Sequence, residues 1–293
     1  MSNTNHTLIV MLLDASGSME SLKSGAVTGI NAFIDDQKRL TQSPEDRPID
    51  LSADMSGARP LSCNLTMIQF TSPDGYGHRV TADNGEPADH FHDHNVIHDN
   101  KSIFDVPAIT EADYPTSGGT PLIDAYCKAI DDTNSAINKI AEPLRPGRVI
   151  FLVMTDGKEN TSKKFKKADL TERLAKYQTE KNWQFIYLGA NQDAIQEASS
   201  VGTVAANSMT YASTGVGLAT AFASSSDLVR SKRRVEAREM TGVMYRASDY
   251  IAQDTMLGSA MNMSHVADLV APSAVPTPPA TPTPPTEEKK TQP

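Results

Sequence analysis

The 293 residues carry 27 basic and 36 acidic side chains, a formal charge of −9, with 39% hydrophobic and 22% charged residues. This composition belongs to a soluble globular chain with a real core, and the acidic balance argues against a protein whose main business is coating nucleic acid or anionic membrane. Two cysteines, Cys63 and Cys127, in a chain with no segment resembling an export signal lead to the expectation of a reduced, cytoplasmic setting without a disulfide.

Thr7 to Leu13 (TLIVMLL) is continuously apolar, the pattern of a strand covered on both faces in a parallel sheet. It lacks a basic lead-in and ends on Asp14, so it is read as the central strand and not as a signal peptide or membrane span. After it, Ala26, Ile30, Phe33, Gln37 and Leu40 follow helical spacing, which predicts an amphipathic helix from Met19 to Leu40. Pro44, Pro48 and Pro60 mark a polar break. Leu65 to Phe70 is the second strand, and the Gly-, Asp- and His-rich stretch beyond it is expected to hold an edge hairpin. Within that stretch NVIH and SIFDV read as two extended pieces flanking the turn-prone Asp99 and Asn100.

Thr120 is placed to cap a helix whose first residue is Pro121, with Leu122, Tyr126, Ile130, Thr133, Ile137 and Ile140 on one face. Arg148 to Thr155 is the second continuously apolar strand. A helix over Lys166 to Thr179, a strand over Trp183 to Gly189, a short helix over Asn191 to Ser199, a weaker strand over Thr203 to Tyr211 and a helix over Gly217 to Met240 continue the alternation. Residues 1–240 are therefore expected to form one domain with long insertions at 41–64 and 71–95. A partly helical extension is expected over 241–271, and a Pro/Thr-rich solvated tail over 272–293.

Three polar clusters fall at strand ends or helix starts: Asp14-Ala15-Ser16-Gly17-Ser18, Ser117-Gly118-Gly119-Thr120 and Thr155-Asp156-Gly157. In a doubly wound sheet, loops beyond the carboxyl ends of the strands converge at the switch point, so distant segments can share one site. DASGSM, SGGTPL and MTDG resemble the three parts of the metal-ion-dependent adhesion site of von Willebrand factor type A domains, and the resemblance spans about residues 7 to 240. It implies a doubly wound, mostly parallel six-stranded sheet with helices on both faces and an antiparallel edge strand within Asn95 to Val106. It also implies a metal site made of Asp14, Ser16, Ser18, Thr120 and Asp156, with the three hydroxyls binding directly and the two carboxylates acting largely through water. The compact GGTPL pattern and the segment after the last strand look more like standalone bacterial or phage members than integrin-type domains.

Hard oxygen donors suit Mg²⁺, with Mn²⁺ or Ca²⁺ as alternatives, and a first shell of mostly neutral oxygens leaves the ion's charge open to a carboxylate from outside. Any single fragment has a plainer explanation, since Asp- and Ser-rich turns cap helices and Thr120 could serve as a cap alone. The order and placement of all three favour the ion. The implied function is cation-dependent binding of a protein partner that presents Asp or Glu, with no catalysis. Two alternatives are a metal-dependent hydrolase, which lacks a GxSxG elbow or a placed histidine base, and an assembly protein with a rigidifying ion.

Other features carry weaker readings. His90, His92, His94 and His98, with Asp89 and Asp93, could form a second, zinc-like site, although their spacing matches no structural zinc motif and a solvated loop is the plainer reading. Lys163 and Lys164, with Lys166 and Lys167, follow the Asp156 loop, where they could draw in an acidic partner, a solvated charge run being the plainer reading. Arg230, Lys232, Arg233, Arg234 and Arg238 read as an exposed basic helix face, and Pro276 and Pro279 as part of a plain flexible tail.

Overall fold

The computed structural model describes residues 3–42, 61–72, 94–157, 159–190 and 207–239. Ten main elements follow in chain order: β1 (Asn3–Asp14), α1 (Lys23–Gln42), β2 (Ser62–Phe70), β3 (Asn95–Ser102), α2 (Leu122–Lys139), β4 (Pro146–Thr155), α3 (Lys167–Lys181), β5 (Gln184–Ala190), β6 (Ser208–Tyr211) and α4 (Gly215–Glu239). The strands form one six-stranded sheet in the order β3-β2-β1-β4-β5-β6. All neighbours are parallel except the edge pair β2 and β3. This is the expected doubly wound α/β architecture with an antiparallel edge, and the strand order reverses between β1 and β4.

The reason β1 is apolar throughout is visible in its packing. Successive side chains of a strand point to opposite faces, and here Ile9, Met11 and Leu13 join a core with Ala26, Ile30 and Phe33 of α1 and with Leu218 and Phe222 of α4. Leu8, Val10 and Leu12 join a second core with Tyr126 and Ile130 of α2 and Leu170 and Leu174 of α3. β4 repeats the division, with Ile150, Leu152 and Met154 on one face and Val149, Phe151 and Val153 on the other. At roughly 25 cal/mol per Å² of apolar surface removed from water, these two layers supply the main driving force for the fold.

Several boundaries differ from the sequence expectation for identifiable reasons. The helix predicted from Met19 begins as a 3-10 turn, Gly17–Leu22, and becomes α-helical only at Lys23. Of the two extended pieces around Asp99, NVIH lies in a single strand, β3, which runs on through Asn100 to Ser102, while Ile103–Asp105 of SIFDV form a 3-10 turn. The register of β3 against β2 shifts and Asn100 takes a left-handed φ of 45°. Asn tolerates that conformation, so the turn signal there absorbs an irregularity instead of closing a hairpin. The basic face of α4 is not all solvated. Arg233 is 1% exposed and donates to Gln37 Oε1 at 3.0 Å and Thr41 Oγ1 at 3.1 Å, tying α4 to the last two turns of α1. Lys232 reaches Gln184 Oε1 and Arg230 pairs with Asp227. Both cysteines are buried free thiols. Among the described residues no helix is long and apolar enough to cross a membrane. The short helix expected over 191–199, most of the two insertions, the side chains of Arg234 and Arg238, and everything after 239 lie outside the described residues.

Candidate functional site

The carboxyl ends of β1 and β4, adjacent at the point where the strand order reverses, deliver Asp14 and Thr155-Asp156 side by side. The chain leaving β1 is laced to the Ser117–Thr120 loop by backbone bonds, Gly17 N–H to the Gly118 carbonyl and Ser117 N–H to the Ala15 carbonyl, both 2.9 Å. Ser72, just past β2, exchanges two backbone bonds with Gly119. Gly118 takes a φ of 74°, and a Cβ there would fall 1.7 Å from the Ser72 carbonyl oxygen, so only glycine lets the loops approach this closely.

All five residues singled out in the sequence come together. Ser16 Oγ and Ser18 Oγ are 3.1 Å apart, and Ser18 Oγ donates to Asp156 Oδ1 at 2.7 Å. Asp14 Oδ1 accepts the Ser16 N–H at 2.8 Å, which holds the turn, and its Oδ2 accepts the Thr155 hydroxyl at 2.5 Å. The fifth, Thr120, is fixed by reference to Gly157: a Cβ built on Gly157 would lie 3.1 Å from Thr120 Oγ1 and 3.7 Å from Ser18 Oγ. The two hydroxyls therefore face one small space that the absence of a side chain at Gly157 keeps open. Thr120 does not cap α2. The capping position is Pro121, and no hydrogen bond ties Thr120 Oγ1 to the helix among the described residues.

Asp14, Ser16 and Thr120 are fully buried, Asp156 is partly buried and Ser18 is exposed, so the cluster runs from the core at Asp14 to solvent at Ser18. Burial pushes the Asp14 carboxyl up to about 6 against the opposing pull of its bonds from Thr155 and Ser16, and the neighbouring Asp156 adds to the rise. Burial also raises Asp156, partly offset by the Ser18 hydroxyl.

Residues to which the sequence assigned no role at the site complete the surroundings. Thr155 orients Asp14, Tyr114 donates its hydroxyl to the Asp14 carbonyl, and Tyr211 donates to the Thr155 carbonyl at 3.0 Å. Both phenols are buried and held well above their ordinary range by burial, which keeps them neutral donors. Nothing in local sequence pattern marks these roles, because each partner lies 56 to 141 residues away.

The remaining sequence candidates fall elsewhere. Lys163 and Lys164 are exposed on the loop that follows Asp156. Asp89, His90, His92 and Asp93 lie outside the described residues, and His98 lies within β3. His94, at the start of β3, buries its ring with Nε2 3.6 Å from Asp132 of α2. Among the described residues there is no group of three or more His, Cys, Asp or Glu side chains arranged to hold a metal. The five-residue cluster has only two carboxylates, its other donors being hydroxyls.

No protein-family model matches the chain, and no curated protein matches it in sequence. Among solved structures it is similar to the pilus adhesin SpaC of Lactobacillus rhamnosus GG in its open conformation, at 12% identity and a TM-score of 0.49, over 77% of this chain and 30% of the adhesin. It is also similar to the manganese-loaded TRAP protein of Plasmodium vivax, at 15% identity and a TM-score of 0.42, over 75% of this chain and 74% of that one. The chain thus spans less than a third of the adhesin's length.

Proposed function

We propose that the chain is a von Willebrand factor type A-like interaction module that holds a divalent cation between Asp14, Ser16, Ser18, Thr120 and Asp156 and uses it to bind an acidic side chain of a protein partner. The observation that carries this reading is the meeting of three hydroxyls and two carboxylates, from three separate loops, at the switch point of the sheet. Adjacent oxygen ligands about 2.1 Å from an octahedral Mg²⁺ are about 3 Å apart. The spacings of 3.1 Å between the Ser16 and Ser18 hydroxyls and 2.7 Å between Ser18 and Asp156 fit that edge, and they serve as hydrogen bonds otherwise. The donors are all hard oxygens, which favours Mg²⁺, with Mn²⁺ or Ca²⁺ as alternatives.

The bound ion would supply a Lewis-acidic position, only partly compensated in charge, for a carboxylate to enter. The chain's own residues do the rest. Ser16, Ser18 and Thr120 contribute neutral oxygens that leave the positive field facing outward, while Asp14, held by Thr155, keeps its charge at the buried side. Ser18 and Asp156 border the open side, where a partner would arrive. Lys163 and Lys164, exposed on the adjoining loop, would steer an acidic surface towards it. The buried free thiols fit a cytoplasmic setting.

Affinity capture with the wild-type chain and Asp14→Ala, each with Mg²⁺ and with EDTA, tests this proposal alongside calorimetric titration with Mg²⁺ and Mn²⁺. A partner retained only by the wild type in Mg²⁺ is the expected result. Equal capture in all four conditions would refute it. Turnover of phosphate or ester substrates abolished by Asp156→Ala would replace it with a hydrolase.

A further inference from the structure

The first turn of α2 is capped from outside its own segment. An α-helix leaves its first backbone N–H groups without intrahelical partners, and a threonine at the entrance ordinarily takes one of them. Here Glu159 Oε2 accepts the Ile123 N–H at 2.8 Å and Ser162 Oγ accepts the Asp124 N–H at 3.0 Å, both from the loop that follows Asp156. The capping is returned. The Asp124 carboxylate accepts the backbone N–H groups of Lys163 at 2.6 Å, Lys164 at 3.0 Å and Phe165 at 2.7 Å. Glu159 also shapes its own loop, accepting from the Thr161 and Ser162 N–H groups and from the Ser162 hydroxyl.

Asn160 adds a grip on Thr120 itself. Its N–H donates to the Thr120 carbonyl at 3.2 Å and its Oδ1 accepts the Thr120 N–H at 2.8 Å, so both backbone polar groups of Thr120 are taken by one residue. We infer that Asp124, Glu159, Asn160 and Ser162 form a reciprocal clamp that relieves Thr120 of helix capping and fixes its hydroxyl beside Ser18 and Asp156. They are positioning residues for the cluster and touch no ion themselves. The clamp also makes the loop that bears Asp156 and the loop that bears Thr120 one rigid unit, and it places the exposed Lys163 and Lys164 on that unit. The inference rests on the reading of the cluster as a cation site.

The test uses Asn160→Ala, Glu159→Ala and the conservative Asn160→Asp, which keeps an oxygen to accept the Thr120 N–H. Mn²⁺ titration of the full chain, well below its melting temperature, should show binding weakened about 10- to 100-fold in the two alanine variants and restored in Asn160→Asp, as when other outer supports of metal ligands are removed. Amide exchange of the metal-free chain gives a second readout. The Thr120, Ile123 and Asp124 amides should exchange about tenfold faster in the alanine variants, while β1 amides keep the wild-type rate. If the wild type binds Mn²⁺ and both alanine variants bind it equally well, the clamp has no positioning role and the inference falls. If the wild type binds no divalent cation, the cation reading fails instead, and exchange decides the clamp: faster local exchange supports it and unchanged rates overturn it.

Discussion

Asp14→Asn should stabilise the metal-free chain while removing its affinity for divalent cations. Asp14 is fully buried, and its carboxyl is raised from 3.8 to about 6 in the folded chain, burial being the main cause. A raised carboxyl binds its proton more tightly when folded than when unfolded, so folding is favoured most below the unfolded value and loses that advantage as pH climbs through the folded value. A shift of about two units corresponds to roughly 3 kcal/mol, all of it lost above about pH 6. Asparagine keeps an acceptor for the Ser16 N–H but presents an amide group to Thr155, which offsets about 1 kcal/mol of the gain. Urea denaturation in EDTA near pH 8 should therefore find the variant about 2 kcal/mol more stable than wild type, with the gap closing near pH 4. Saturating Mg²⁺ should reverse the ranking near pH 8, since a ligand at a hundred times its Kd adds about 2.7 kcal/mol to the wild type alone. A variant no more stable than wild type near pH 8, or a gap that does not narrow towards pH 4, would refute the argument that this carboxylate is held against its own desolvation.

Gly157→Ala should weaken Mg²⁺ binding at least about tenfold, because the new methyl would sit 3.1 Å from Thr120 Oγ1 in the space the hydroxyls share; calorimetry measures it, and the chain should remain folded by circular dichroism. Gly118→Ala should cost more than about 2 kcal/mol in chemical denaturation, combining a left-handed φ with a Cβ driven into the Ser72 carbonyl. Arg233→Ala should cost about 3 kcal/mol, through lost packing of its stem and the freed Gln37 and Thr41 oxygens, and Arg233→Met should recover part of it, as read by thermal and urea unfolding.

Much of the architecture was legible before any coordinates. An unbroken apolar run such as Leu8 to Leu13 has only one economical home, a strand covered on both faces, and its alternate residues do enter two different cores. The clusters at Asp14, Ser117 and Asp156 lay where such a sheet gathers its loops, so their convergence followed from topology. Shorter-range errors came from competing local signals. Asn100 signalled a turn but sits inside an edge strand as an irregularity, and Thr120 had the look of a helix cap while other residues do the capping.

The linear order of residues determined which side chains could reach the end of the sheet, because apolar periodicity and punctuation by Gly, Pro and Asp act over a few residues at a time. Only the tertiary structure decided what each one does there: Thr155 holding Asp14 across 141 residues, Tyr114 and Tyr211 steadying the two strand ends, Glu159 and Asn160 freeing Thr120, and Arg233 withdrawn from solvent to join two helices. Those roles depend on where a hydroxyl, amide or guanidinium finds its partner after distant segments pack, and no local pattern encodes that distance.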